Sequence, residues 1–126
     1  MTIHPDNIKA ARALVKRYRS ITFDDIQEVK KDLQTHLHFP YLSNFIAKEL
    51  TGYGSTSNCT LCLTVTTKSN RDCQLCIYGS NYHCTRGSNT KTYDNIEDAP
   101  NARALLAAFR ARAKHIETIL KDIDNA

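Results

Sequence analysis

The sequence predicts an α+β fold in which helices flank a central antiparallel β-hairpin or a small three-stranded sheet. Residues 1–50 and 99–123 carry apolar side chains at helical spacing, and the second of these segments is a long C-terminal helix. Residues 51–91 hold all the glycines and cysteines and alternate in hydrophobicity around a polar turn. A chain of 126 residues fits a single domain with these three parts.

Local signals place the helix boundaries. Pro5 suits the first turn of a helix over 5–19, and Thr22 with Asp25 forms a capping box that starts the second helix at Phe23. Pro40 opens a third helix, and Asp98 and Pro100 precede the last. The apolar side chains predicted to face the core are Ile8, Ala11, Leu14, Val15, Tyr18, Phe23, Ile26, Val29, Leu33, Leu42, Phe45, Ile46, Leu50, Leu105, Leu106, Phe109, Ala113, Ile116, Ile119 and Leu120.

The hairpin prediction rests on period-two alternation. Leu61, Leu63 and Val65 alternate with threonines and a cysteine, and residues 73–78 alternate in the same way. A turn centred near Ser69 places Cys62 opposite Cys76 and Val65 opposite Cys73. The apolar face of this hairpin would then pack beneath the long last helix.

The cysteines permit a second interpretation. Two Cys-x2-Cys pairs separated by ten residues have the spacing of a structural zinc site. The hairpin competes with this site, because it directs alternate cysteines to opposite faces. We therefore favour no cofactor and reduced, buried cysteines, with disulfides or a looser site that includes His83 or Cys84 as further alternatives. If zinc is bound, the predicted ligands are Cys59, Cys62, Cys73 and Cys76.

Two polar loops at the base of the predicted hairpin form the candidate ligand site. They supply backbone amides, hydroxyls, aromatic rings and positive charges, which suit a phosphate-bearing ligand. The last helix would complete the site with two basic side chains. The predicted ligand-binding residues are Tyr53, Ser55, Thr56, Ser57, Tyr82, His83, Arg86, Asn89, Lys91, Arg110 and Lys114.

These features favour a non-catalytic binding protein for a nucleotide or nucleic acid. The alternative is a small protein-interaction module, an inhibitor or adaptor, with or without structural zinc. Catalysis is disfavoured because Asp72 is the only acid between residues 50 and 91, so paired carboxylates are missing there. His83 and Cys84 are sequence neighbours, which on a strand point to opposite faces.

Charge and hydropathy give the remaining expectations. The formal net charge of +4 permits an anionic partner. The N-terminus resembles no signal peptide, and no apolar run reaches the length of a membrane span, so we predict a cytoplasmic protein with no membrane partner. The basic stripe of Lys9, Arg12, Lys16 and Arg19 predicts a solvated helix face. The long last helix predicts a homo-oligomer formed through residues 109–123.

Overall fold

Four helices dominate the part of the chain that can be described. A computed structural model describes residues 3–33, 37–51, 66–67, 70–71, 76–77 and 95–125. The helices are α1 (Pro5–Ser20), α2 (Phe23–Leu33), α3 (Tyr41–Thr51) and α4 (Ala102–Asp124). Two strands of two residues each, β1 (Thr66–Thr67) and β2 (Asn70–Arg71), form a small antiparallel ladder.

Side-chain caps fix where the helices begin. The predicted capping box of α2 is confirmed: the Asp25 N–H donates to Thr22 Oγ1 at 3.2 Å, and the Thr22 N–H donates to Asp25 Oδ2 at 2.9 Å. Helix α4 begins after Asn101, whose Oδ1 accepts from the Ala104 N–H at 2.8 Å. The start of α4 therefore lies slightly later than Asp98 and Pro100 suggested.

Helices α1 and α4 run antiparallel along one another. Their contacts pair increasing positions of α1 with decreasing positions of α4. Arg12 forms two hydrogen bonds with Asp124 at 2.8 and 3.1 Å. Seven residues later on α1, Arg19 binds Glu117 at 2.5 and 2.8 Å. This seam covers the far end of the apolar stripe of α4, because Ile116, Ile119 and Leu120 are buried within the chain.

The stripe of α4 therefore gives no support to the predicted homo-oligomer. That prediction rested on apolar residues near the end of α4 that a small sheet could not cover. Helix α1 covers them instead, and Tyr18 of α1 stacks on Phe109 of α4 with ring centroids 5.5 Å apart. A homo-oligomer formed through residues 109–123 stays a prediction, without this original reason for it.

Helix α3 is rotated away from its predicted orientation. Leu42, Ser43, Ile46 and Ala47 are buried, whereas the side chain of Phe45, which the sequence predicted to face inward, is half exposed. The buried Ser43 hydroxyl donates to the carbonyl oxygen of Ala99 at 2.6 Å. This hydrogen bond turns the Ser43 side of α3 inward, and Phe45 then lies on the outer side of the helix.

The predicted α+β fold with a central β-hairpin is wrong for the described residues. The core there is made of helices packed on helices, and α4 lies against α1 and α2 rather than across a sheet. The apolar stripes of the helices pack against one another, so no sheet is needed to cover α4. The ladder of β1 and β2 is too short to form a central layer.

The predicted hairpin register is also wrong by one residue. The observed pairs are Thr66 with Arg71 and Thr67 with Asn70, so two residues connect the strands. The prediction placed Cys62 opposite Cys76, which needs a three-residue connection centred on Ser69. A slip of one residue exchanges the two faces of a strand. Most of the predicted hairpin, residues 60–65 and 72–75, lies outside the described residues.

Cys76 and Ile77 show that the alternation fails at the end of the predicted hairpin. A strand would direct these neighbours to opposite faces, yet both are buried, at 5% and 1% exposure, and they lie in a bend and turn. The backbone N–H of Ile77 donates to Oδ1 of the buried Asn7 at 2.9 Å. This bond anchors the cysteine-rich segment to α1.

Candidate anion-binding groove

Most of the predicted ligand-binding residues fall outside the described part of the chain. The described ones are Arg110 and Lys114, both on α4. The loops around 51–58 and 79–91 therefore stay a prediction. The predicted residues outside the description are Tyr53, Ser55, Thr56, Ser57, Tyr82, His83, Arg86, Asn89 and Lys91.

The guanidinium of Arg110 is held in place by the end of α1. It donates one hydrogen bond to the carbonyl oxygen of Tyr18 and another, at 2.5 Å, to that of Ile21. Carbonyl oxygens at a helix C-terminus lack partners within the helix, and a positive charge there is favourable. Since a guanidinium has five N–H donors, Arg110 keeps donors for a ligand while its orientation is fixed.

Arg110 borders an open groove between the start of α2 and the first half of α4. We name this the α2–α4 groove; it has a volume of about 550 Å³. Its lining residues are Phe23, Arg103, Leu106, Ala107 and Arg110. The lining combines an aromatic ring and aliphatic side chains with two guanidinium groups, so all the charge that these five residues bring is positive.

Arg103 lies over the aromatic ring in this groove. Its guanidinium carbon is 5.6 Å from the centroid of the Phe23 ring, a cation–π arrangement. Phe23 is half buried and is the first residue of α2, inside the capping box that Thr22 and Asp25 form. The cap therefore positions the ring, and the ring positions Arg103.

Two carboxylates on the helices that border the groove, Asp25 and Glu117, are engaged within the protein. The N–H of Thr22 is the main cause of the lowered pKa of Asp25, with further contributions from the Thr22 hydroxyl and the charge of Arg17. On α4, hydrogen bonding to Arg19 lowers the pKa of Glu117, and the charges of Arg19 and Lys121 act in the same direction. The same hydrogen bond raises the pKa of Arg19.

Helix α4 also carries two ionisable groups on its buried side. Arg112 is fully buried, and His115 is half buried one turn later. Burial lowers the pKa of His115, and the positive charge of Arg112 lowers it further. Sequence reasoning missed Arg112 because it chose core positions by residue type, although position 112 lies within the same helical stripe as Phe109 and Ile116.

Apolar side chains are exposed around the start of α3. Leu37, Tyr41 and Phe45 are 39%, 73% and 49% exposed, and Tyr41 and Phe45 are one turn apart on the same side of α3. Nearby, the Lys30 ammonium lies 5.7 Å from the centroid of the Phe39 ring. Sequence reasoning assigned Phe45 to the core and so did not find this patch.

The described residues give no direct support for a metal site. Cys76 is a buried free thiol, and the other predicted zinc ligands, Cys59, Cys62 and Cys73, lie outside the description. Across residues 3–33, 37–51 and 95–125 and the short described segments, no three His, Cys, Asp or Glu side chains gather around a common point. Zinc binding therefore stays the untested alternative to reduced, buried cysteines.

Among the described helices, none has both the length and the apolar character needed to cross a membrane. Comparison with known proteins found no protein family, no curated protein and no solved structure that matches this chain.

Proposed function

We propose that this protein is a non-catalytic binder of a phosphate-bearing ligand, a nucleotide or nucleic acid, and that the α2–α4 groove contributes to its site. The observation that carries the proposal is the pair Arg103 and Arg110 beside the ring of Phe23 in one open groove. Guanidinium groups match the geometry of phosphate oxygens and bind them through two parallel hydrogen bonds.

The fixed orientation of Arg110 favours this function over a merely solvated arginine. A side chain that is already immobilised loses little conformational entropy when a ligand binds. The apolar part of the lining, Phe23 with Leu106 and Ala107, offers a surface for a planar base. The polar loops around residues 51–58 and 79–91 remain part of the proposed site.

Calorimetric titration tests this proposal. Mono- and dinucleotides, inorganic phosphate and a short oligonucleotide would be titrated into the protein at two salt concentrations. Because Arg103 is exposed and makes no hydrogen bond to the backbone of the described residues, Arg103→Ala should weaken nucleotide binding with little effect on folding. Loss of one charge-assisted contact corresponds to roughly 10- to 100-fold weaker binding.

The matched control is Lys31→Ala, which removes one exposed positive charge from α2 away from the lining residues. It should leave nucleotide binding unchanged. If the wild-type protein binds none of the phosphate-bearing compounds at low salt, the proposed function is wrong. Equal losses for Arg103→Ala and Lys31→Ala would show that binding does not involve the groove.

The second candidate is a protein-interaction module, and the exposed apolar patch favours it. Leu37, Tyr41 and Phe45 form a surface of the kind that protein interfaces use, with a tyrosine as its most exposed member. A partner that docks there should lose affinity with Tyr41→Ala and keep it with Arg103→Ala. Its affinity should also depend little on salt, whereas phosphate binding depends steeply on salt.

A further inference from the structure

Four basic side chains of α4 lie on one straight line along the helix. They are Arg103, Arg110, Lys114 and Lys121, at intervals of seven, four and seven residues. At about 100° per residue, all four fall within about 20° of a common direction, and they span about 27 Å at 1.5 Å per residue. Three of them are exposed, and Arg110 is half buried.

The basic side chains of α1 lie beside this line. Because α1 and α4 are antiparallel and joined through Arg12 with Asp124 and Arg19 with Glu117, the exposed Lys16 lies on α1 between the two ion pairs. On α4, Lys121 lies between the same two pairs, one turn after Glu117. We define the basic face as Arg12, Lys16 and Arg19 together with Arg103, Arg110, Lys114 and Lys121.

The carboxylates at the seam cancel only two of these seven charges. Glu117 and Asp124 each bind one arginine through two hydrogen bonds, so each ion pair is close to neutral as a unit. This leaves five positive charges on the two adjacent helices: Lys16, Lys114, Lys121 and the two groove arginines. This concentration of charge on two adjacent helices exceeds what the net charge of +4 suggests.

We propose that the basic face binds the phosphodiester backbone of a nucleic acid. This inference rests on the proposed function and names its ligand class: a polyanion that runs from the α2–α4 groove along α4 to the seam. A mononucleotide can reach only one end of a line of about 27 Å, whereas a nucleic acid places a phosphate every few ångströms along it. Backbone contacts of this kind position the strand without reading its sequence.

Fluorescence anisotropy with a labelled 12-nucleotide single strand and a 12-base-pair duplex, across a salt series, tests the basic face. The informative variant is the double substitution Lys16→Ala with Lys121→Ala. Neither lysine lines the α2–α4 groove, and both are exposed, so the fold should persist. We expect about tenfold weaker binding, and a salt slope that decreases by about one per lysine removed.

Two controls accompany this variant. Lys31→Ala with Lys48→Ala removes the same charge from α2 and α3 and should leave oligonucleotide binding unchanged. Restoring the charges as Lys16→Arg with Lys121→Arg should retain affinity, because backbone phosphates accept either cation. The single strand and the duplex carry the same phosphodiester backbone, so comparing them shows which form of nucleic acid the protein prefers. Tight binding of either one through the basic face supports the inference.

The outcomes also separate this inference from the proposed function. One outcome would contradict only the inference about the basic face. In that outcome mononucleotides bind and lose affinity with Arg103→Ala, but Lys16→Ala with Lys121→Ala leaves oligonucleotide binding unchanged. The proposed function of the groove would then still stand. If neither mononucleotides nor oligonucleotides bind, both are wrong. Competition by polyglutamate of equal charge at the same concentration as the oligonucleotide would overturn the assignment of nucleic acid.

Discussion

The backbone N–H of Ile77 donates a 2.9 Å hydrogen bond to Oδ1 of Asn7, and both residues are buried. Seventy positions separate these residues in the sequence. An asparagine on the buried side of α1 therefore holds the cysteine-rich segment against the helical core. Position 7 lies on the same stripe as Ala11, Leu14 and Tyr18, where an apolar residue would otherwise be expected.

Asn7→Ala should destabilise the protein, because it leaves the N–H of Ile77 buried without its acceptor. The expected loss is about 1–3 kcal/mol of unfolding free energy, measured by urea denaturation. Lys9→Ala, on the exposed side of the same helix, should change this free energy by less than about 0.5 kcal/mol. Equal denaturation midpoints for the wild type and Asn7→Ala would refute the anchoring role.

Substitution of Ser43 by alanine should destabilise the protein more than substitution of Phe45. This is the reverse of the order usually expected for a serine and a phenylalanine. Ser43→Ala removes a buried hydrogen bond to the carbonyl of Ala99 and should cost about 1–3 kcal/mol. Phe45→Ala should cost only about 1 kcal/mol or less, because half of that side chain is already exposed. Urea denaturation of the two variants side by side measures the order, and a larger loss for Phe45→Ala would contradict the rotation of α3.

Helix boundaries were predictable because their signals are local. The capping box of Thr22 and Asp25 needs only four consecutive residues, and α2 begins where that box predicts. The apolar stripe of α1 was equally predictable, since Ala11, Leu14, Val15 and Tyr18 repeat at helical spacing and are buried.

The contacts between helices could not be predicted in the same way. The orientation of α3 depends on Ser43 reaching Ala99, and the support beneath Arg110 depends on carbonyl groups at the end of α1. Such contacts join residues far apart in sequence through polar atoms, so hydrophobic periodicity does not predict them. The sheet predicted beneath α4, where α1 lies, came instead from the period-two alternation of the cysteine-rich segment.

Substitution of Cys76 can distinguish apolar packing from zinc coordination. Cys76 is 5% exposed and belongs to the core, and a buried free cysteine behaves as a small apolar side chain. Cys76→Val should therefore retain most of the stability, and a chelator should leave the denaturation midpoint unchanged. If a structural zinc is present, Cys76→Val should unfold the protein, as should chelation, and elemental analysis of the wild type should find stoichiometric zinc.

As the pH falls, His115 should be the first group to lower the stability of the protein. Burial and the charge of Arg112 lower its pKa below the ordinary value of 6.5, so the folded state resists protonation that the unfolded state accepts. The unfolded state then binds more protons, and the free energy of unfolding must decrease as the pH falls below about 6.5. This decrease ends once the pH passes the folded-state pKa of His115.

Urea denaturation at a series of pH values checks this prediction. His115→Gln should flatten the profile in the first interval below pH 6.5. The carboxyls of Asp25 and Glu117 act in a separate, more acidic interval, because their folded-state pKa values lie below 3.8 and 4.5. Their protonation removes hydrogen-bonded charges that the folded state stabilises, so Glu117→Gln should flatten only that lower interval. A profile that stays level between pH 6.5 and 5 in the wild type would show that His115 is not protected from protonation by its surroundings.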